Sequence, residues 1–166
     1  VIEGTRKPSS DTPAILHIFR ERPDINAVIH THQPYATAVS LIPGLTRVPR
    51  MHHRTGQCRR RQCADHAVFA AGSIDMGIDT VKYVGNGHAV ILSQHGVMTV
   101  GKDLNQALYA AVYLEEAENA IWLPRSLLNG EIKQMSDAQI QQMVDVIPDY
   151  GQGTAKIPED LVKRID

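Results

Sequence analysis

Hydrophobic residues recur at helical spacing near the beginning of the chain. Ile15, Leu16 and Phe19 follow the segment 9–13, which reads Ser-Ser-Asp-Thr-Pro. Hydroxyl and carboxylate side chains followed by a proline are typical of a helix start, and Pro23 provides a natural stop. The pattern therefore predicts a first helix that begins near the Ser-Ser-Asp segment and ends before Pro23.

Short apolar runs alternate with further helical patterns along the rest of the chain. Uninterrupted apolar residues are typical of buried strands, and they predict strands at 26–29, 89–92 and 97–100. Amphipathic spacing predicts helices at 34–42, 73–84, 103–123 and 137–146. Because helices and strands are interspersed, the sequence predicts an α/β or α+β domain in which helices are layered on a sheet.

The composition narrows the class of protein. The chain has 166 residues, of which 43% are hydrophobic and 21% charged, with two cysteines and a formal net charge of −1. Such a chain is long enough to bury a core, and it is neither disordered nor a disulfide scaffold. The near-zero charge argues against nucleic acid or a membrane as a general partner. Since the chain shows no signal-peptide pattern and no apolar run of about 20 residues, we expect one cytoplasmic domain over residues 1–166.

Three histidines suggest a metal site. His30 and His32 lie two residues apart at the end of a predicted strand, so their side chains share a face. His95 follows another predicted strand and precedes Gly96, which would permit a tight turn. Three imidazoles leave one zinc coordination position open, as in catalytic sites, and Asp11 could serve as a base or a fourth ligand. The alternatives are a plain turn histidine for His95 and a helix-start role for Asp11.

Three segments carry a resemblance to a known family. They are Lys-Pro-Ser-Ser-Asp-Thr at 7–12, Ala-Val-Ile-His-Thr-His at 27–32 and Gln-His-Gly-Val at 94–97. In this order they resemble the class II sugar-phosphate aldolase/epimerase family, which includes fuculose-phosphate aldolases, ribulose-phosphate 4-epimerases and the adducin head domain. The resemblance runs from about residue 3 to 50 and from about 69 to 152. It implies a mostly antiparallel central sheet flanked by helices, and a homotetramer.

The resemblance also implies roles for individual residues. These are zinc binding for His30, His32 and His95, contacts with the substrate phosphate for Ser9 and Ser10, acid/base catalysis for Asp11, and proton donation in a neighbouring subunit's site for Tyr150. The expected cofactor is one Zn²⁺ per subunit.

The implied chemistry is retro-aldol cleavage of a C–C bond in a ketose phosphate. Asp11 followed by Thr12, together with Tyr150-Gly151-Gln152, favours an L-ribulose-5-phosphate 4-epimerase over an aldolase of the L-fuculose-1-phosphate type. An interaction domain without catalysis, as in adducin, is the alternative of another class, and the three histidines argue against it.

Two features depart from the family pattern. Several dozen residues that the family carries before the point corresponding to Val1 are absent, so we expect an N-terminally truncated domain. Residues 51–69 are rich in arginine and histidine, contain Cys58 and Cys63, and match nothing in the family. A zinc knuckle and an RNA-binding arm are possible interpretations, but the cysteine spacing and the lack of interleaved aromatics argue against them. We prefer a reading-frame error, because a one-base shift permits a strand-like, Gly-Asn-containing sequence here.

Overall fold

The computed structural model describes residues 4–41, 63–64, 73–128, 136, 138–139 and 141–142. The helices are α1 (Thr12–Glu21), α2 (Pro34–Ser40), α3 (Asp75–Val84) and α4 (Leu104–Leu128). The strands are β1 (Ala27–Thr31), β2 (Cys63–Ala64), β3 (Ala89–Leu92) and β4 (Gly96–Gly101). The predicted elements up to α4 are therefore present, with small differences at their ends.

The strands form one four-stranded sheet in the order β1-β4-β3-β2. β1 pairs antiparallel with β4, so that Thr31 lies opposite Val97, and β3 and β4 form an antiparallel hairpin. β2 pairs parallel with β3 at the outer edge. The arrangement confirms the prediction of a mostly antiparallel sheet combined with helices.

Helices cover both faces of this sheet because the apolar strands alternate their side chains between two cores. On one face, Val90, Leu92, Met98 and Val100 pack with residues of α1 and α3. On the other face, Ala89, Ile91 and Val97 pack with residues of α2 and α4. A β-carbon added at Gly77 of α3 would meet the backbone of Ala14, so α1 and α3 cross closely there. The result is a three-layer sandwich.

The longest helix extends further than the sequence pattern predicts. Asp103 caps it as expected, since its Oδ1 accepts the N–H of Gln106 at 2.8 Å. The helix then continues through Pro124 to Leu128 rather than ending near Leu123. The apolar pattern from which this helix is predicted ends near Leu123, so the periodicity gives no signal for the last residues of the helix.

The remaining predictions fall largely beyond the described residues. Within the predicted helix 137–146, residues 138–139 and 141–142 are helical. Of the arginine-rich stretch 51–69, the structure describes Cys63 and Ala64, and Tyr150 lies outside the described residues. Among the helices that are described, none has the length and apolar character required to cross a membrane.

Candidate metal centre

His30, His32 and His95 meet at one end of the sheet. The centroids of their rings are 5.0 Å apart for His30–His32, 5.0 Å for His30–His95 and 5.1 Å for His32–His95. One potential ligand atom from each ring lies within 4.8 Å of the others. We call these three residues the histidine cluster. Its members could hold one metal ion, and the exposure of His32 leaves the cluster open to solvent.

The sheet register explains why these side chains converge. His30 lies opposite Met98, whose side chain belongs to the core beneath α1 and α3. Directly opposite residues in a ladder point to the same face, so His30 projects towards the layer that contains α1. His95 lies in the turn between β3 and β4, residues 93–95, where the backbone N–H of His95 donates to the Leu92 carbonyl at 3.2 Å.

A backbone contact fixes the proton on His30. Its Nδ1 lies 3.0 Å from the carbonyl oxygen of Val97, and a carbonyl can only accept a hydrogen bond. Nδ1 therefore carries a proton, and Nε2 is the ring nitrogen that faces the cluster, 3.3 Å from Nε2 of His32. Metal-binding histidines are commonly oriented through such a bond on the other ring nitrogen.

Electrostatics keep His95 in the form that can bind a metal. Burial lowers the pKa of His95 below its ordinary value. Electrostatic repulsion of protonated His95 by His30 and His32 lowers this pKa further. The carboxylate of Asp11 acts in the opposite direction on the same pKa. Since the lowering dominates, neutral imidazole is favoured near pH 7.

Gly96 has a different role from the one that its position after His95 suggests. The residue with positive φ in the turn is Gln94, at 54°, and not the glycine. A β-carbon at Gly96 would lie 2.6 Å from the carbonyl oxygen of Thr31 and 2.7 Å from Cδ2 of His32. Glycine is required here because the backbones of β1 and β4 approach closely beside a cluster residue.

The start of α1 places Asp11 near the cluster but not within it. Asp11 is half-buried, and it influences the pKa of His95, yet the group that could share one ion consists of the three histidines. Ser9 and Ser10 are exposed. Their hydroxyls bond locally: Ser9 Oγ accepts the Asp11 N–H at 3.2 Å, and Ser10 Oγ donates to Asp11 Oδ1 at 3.3 Å.

In the sequence, Gln94 stands out only as a member of the segment 94–97, and Ser40 and Glu115 do not stand out at all. Ser40 and Gln94 bond to each other beside the turn, and Glu115 of α4 accepts two backbone N–H groups at the start of α2. The positive φ of a non-glycine residue and a capping acid from another helix leave no local pattern, so periodicity could not have revealed them.

Comparison with known proteins identifies the family. Residues 1–122 match the family model described as Class II Aldolase and Adducin N-terminal domain. The chain is 31% identical over 153 residues to a 5-deoxy-D-ribulose 1-phosphate aldolase from Bacillus thuringiensis, spanning 92% of this chain and 69% of that protein. It is 26% identical to a 5-methylthioribulose-1-phosphate/5-deoxyribulose-1-phosphate aldolase from Rhodospirillum rubrum, spanning 93% of this chain and 68% of that protein.

A solved structure agrees with these matches. An L-fuculose 1-phosphate aldolase superposes with a TM-score of 0.75 at 25% identity, over 89% of this chain and 68% of that one. The fold, the ordered motifs and the matched sequences lead to the same assignment. The chain belongs to the class II aldolase and adducin N-terminal domain family.

Proposed function

We propose that the chain is a zinc-dependent aldolase that cleaves a C–C bond of a small ketose phosphate by a retro-aldol reaction. The observation that carries the proposal is the convergence of three imidazoles, whose ligand atoms lie within 4.8 Å of one another. The aldolase names of the two curated relatives support the same reaction class.

The donor set fits zinc. Three imidazoles with an open side match the composition of catalytic zinc sites, and the Nδ1–H of His30 is already directed to the Val97 carbonyl. When bound, a zinc ion supplies Lewis acidity that stabilises the negative charge on substrate oxygens as the C–C bond breaks. His30, His32 and His95 would hold the ion.

Asp11 is the residue proposed to transfer a proton. Its half-buried carboxylate lies close enough to His95 to affect the pKa of that residue. In the cleavage direction it takes the proton of the hydroxyl that becomes the aldehyde, while the electron pair of the broken bond passes to the carbonyl fragment. That fragment then takes up a proton at carbon.

Ser9 and Ser10 are proposed to bind the substrate phosphate. They precede α1, a ten-residue helix whose first N–H groups and dipole favour an anion. Both hydroxyls are exposed, and their local hydrogen bonds, at 3.2 and 3.3 Å, are long enough to be exchanged readily for bonds to phosphate oxygens.

The epimerase remains a second candidate. Asp11 followed by Thr12, and Tyr150 in Tyr-Gly-Gln, resemble the ribulose-phosphate 4-epimerases. Both reactions begin with the same bond cleavage, and they differ in whether the fragments leave or recombine after the aldehyde rotates. Tyr150, proposed to donate a proton to a neighbouring subunit's site, would require the tetramer that the resemblance implies. Light scattering of the purified chain measures that oligomeric state.

A substrate comparison tests the proposal. The zinc-loaded chain is incubated separately with 5-deoxyribulose 1-phosphate, L-fuculose 1-phosphate and L-ribulose 5-phosphate. We expect dihydroxyacetone phosphate to be released from a ketose 1-phosphate, with activity lost in a chelator and restored by Zn²⁺. Formation of a pentulose 5-phosphate epimer would instead establish the second candidate.

Histidine variants provide the matched control. His95→Ala should abolish turnover and metal binding, whereas His17→Ala, on α1 and outside the cluster, should retain both. A folded chain that binds no zinc and cleaves none of the three sugars would support an adducin-like interaction domain instead.

The interpretation of residues 51–69 affects the turnover rate that we expect of this chain. If the arginine-rich stretch is genuine protein, we expect weak turnover, because the family places residues of the subunit interface there. Sequencing the source DNA decides between the two interpretations: codons incompatible with the shifted frame would remove the reading-frame explanation.

A further inference from the structure

The turn that carries His95 contains an unfavourable backbone conformation. Gln94, the residue before His95, has a φ of 54°, and among the described residues it is the only one other than glycine with a positive φ. Side chains with a β-carbon rarely adopt this region, so it persists only where surrounding contacts maintain it. The orientation of His95 therefore depends on the contacts that keep the Gln94 backbone in this conformation.

A buried hydroxyl on α2 makes that contact. Oγ of Ser40 accepts the backbone N–H of Gln94 at 3.1 Å and donates its own proton to the carbonyl of Thr37 at 2.6 Å. Ser40 is 6% exposed, so water cannot readily replace it as a partner. The donated bond also fixes the rotamer of Ser40, and thereby aims its lone pair at the turn.

Helix α2 also begins immediately after the segment that carries His30 and His32. α2 starts at Pro34, two residues after His32, and ends at Ser40. Its first turn is tied to α4, because Glu115 accepts the N–H groups of Tyr35 at 3.0 Å and Ala36 at 3.1 Å. One short helix thus connects the strand that carries His30 and His32 with the turn that carries His95.

We propose that Ser40 is a positioning residue for the metal centre: through the N–H of Gln94 it holds His95 at the distance from His30 and His32 that one ion requires. The inference rests on the proposed metal-dependent function and deepens it. Ser40 acts through the turn, and it need not touch substrate or metal itself.

Cobalt binding tests the proposal without depending on turnover. Co²⁺ is titrated into the metal-free 166-residue chain against a competing chelator, and the visible absorption spectrum of the bound ion is recorded. Ser40→Ala should weaken Co²⁺ affinity about tenfold, the lower end of what loss of an outer-shell partner costs, and alter the spectrum. Ser40→Thr, which keeps a hydroxyl, should restore affinity and spectrum.

Thr80→Ala is the matched control. Thr80 is fully buried on α3, and its hydroxyl also donates to a carbonyl of its own helix, that of Met76 at 2.7 Å. This variant should lose stability but keep the affinity and spectrum of the unaltered protein. Equal loss of Co²⁺ affinity in Thr80→Ala would overturn the proposal, since general destabilisation would then explain both variants.

The remaining outcomes distinguish the proposed metal-dependent function from the proposed positioning role of Ser40. If the unaltered chain and Ser40→Ala bind Co²⁺ with the same affinity and spectrum, the positioning role is wrong and the metal-dependent function stands. If the unaltered, folded chain binds no Co²⁺, the metal-dependent function fails, and the role of Ser40 fails with it.

Discussion

At Gly96 the backbone of β4 lies against the end of β1, beside His32. The space that a β-carbon would need is occupied by the Thr31 carbonyl oxygen and by Cδ2 of His32. At the other end of the same strand Gly101 is equally crowded, by the backbone of Ala107 and Asp103. The two glycines are therefore sterically similar, and only Gly96 adjoins the histidine cluster.

Alanine variants of these two glycines should behave differently. Gly96→Ala should cost about 1–3 kcal/mol of unfolding free energy through overpacking, and it should also weaken zinc affinity at least about tenfold, because the methyl group displaces the His32 ring. Gly101→Ala should cost similar stability and leave zinc affinity unchanged. Urea unfolding and zinc titration measure the two effects. Unchanged zinc affinity in Gly96→Ala would contradict the steric argument.

Asp11 allows a separate test of the chemical step. Asp11→Asn keeps the shape of the side chain but removes its basicity, so we expect kcat to fall about 10²–10⁴-fold, the usual contribution of a general acid/base. Zinc affinity should change little, since Asp11 lies outside the group that could share the ion. Asp75→Asn, at the start of α3, is the control. Full turnover in Asp11→Asn would rule out the proposed role.

At the scale of elements, α2 depends on another helix for its cap. Gln33 precedes it without a side-chain capping bond, and Glu115 of α4 accepts the first two N–H groups instead. The amide of Gln33 reaches in the same direction and donates to the Ala111 carbonyl at 2.9 Å. These contacts fix the chain where it leaves the histidine cluster.

Removing the Glu115 carboxylate should destabilise α2. Glu115→Ala removes the carboxylate that accepts the N–H groups of Tyr35 and of the fully buried Ala36, and a buried donor left unpaired typically costs about 1–3 kcal/mol. Asn119→Ala, at an exposed position of the same helix, should change stability by less than about 0.5 kcal/mol. The midpoint of urea unfolding provides the comparison. Equal midpoints for the two variants would show that Glu115 does not stabilise the helix.

The sequence predicts most elements because each has a local cause. Pro13 and Pro23 bracket α1, the run Ala89–Leu92 is uninterrupted by polar residues, and Asp103 caps α4. The cap of α2 could not be predicted, because it comes from a residue about eighty positions away and leaves no pattern near Pro34.

At the scale of the whole molecule, the proposed metal joins parts that are distant in sequence. His30 and His32 come from the end of β1, and His95 from the turn between β3 and β4. An ion that binds only the folded arrangement stabilises the fold by mass action.

Zinc should accordingly raise the stability of the chain. At about 100 times its Kd the gain is about 2.7 kcal/mol, which corresponds to a rise in Tm of roughly 5–10 °C for a chain of this size. His30→Ala should abolish the rise, and His17→Ala should preserve it. Calorimetry with and without zinc measures the difference. The same rise in His30→Ala would mean that zinc binds elsewhere.

Motifs and local periodicity are properties of short segments, and for that reason the family, most of the helices and strands, and the three histidines could be recognised in the sequence. The meeting of the three rings, with centroids no more than 5.1 Å apart, and the close packing that requires glycine at position 96 became visible in the folded chain. The tertiary structure also placed the strain at Gln94 and its support on Ser40. The reason is physical: sheet register and the crossing of helices bring together residues that are distant along the chain, and no local pattern encodes those distances.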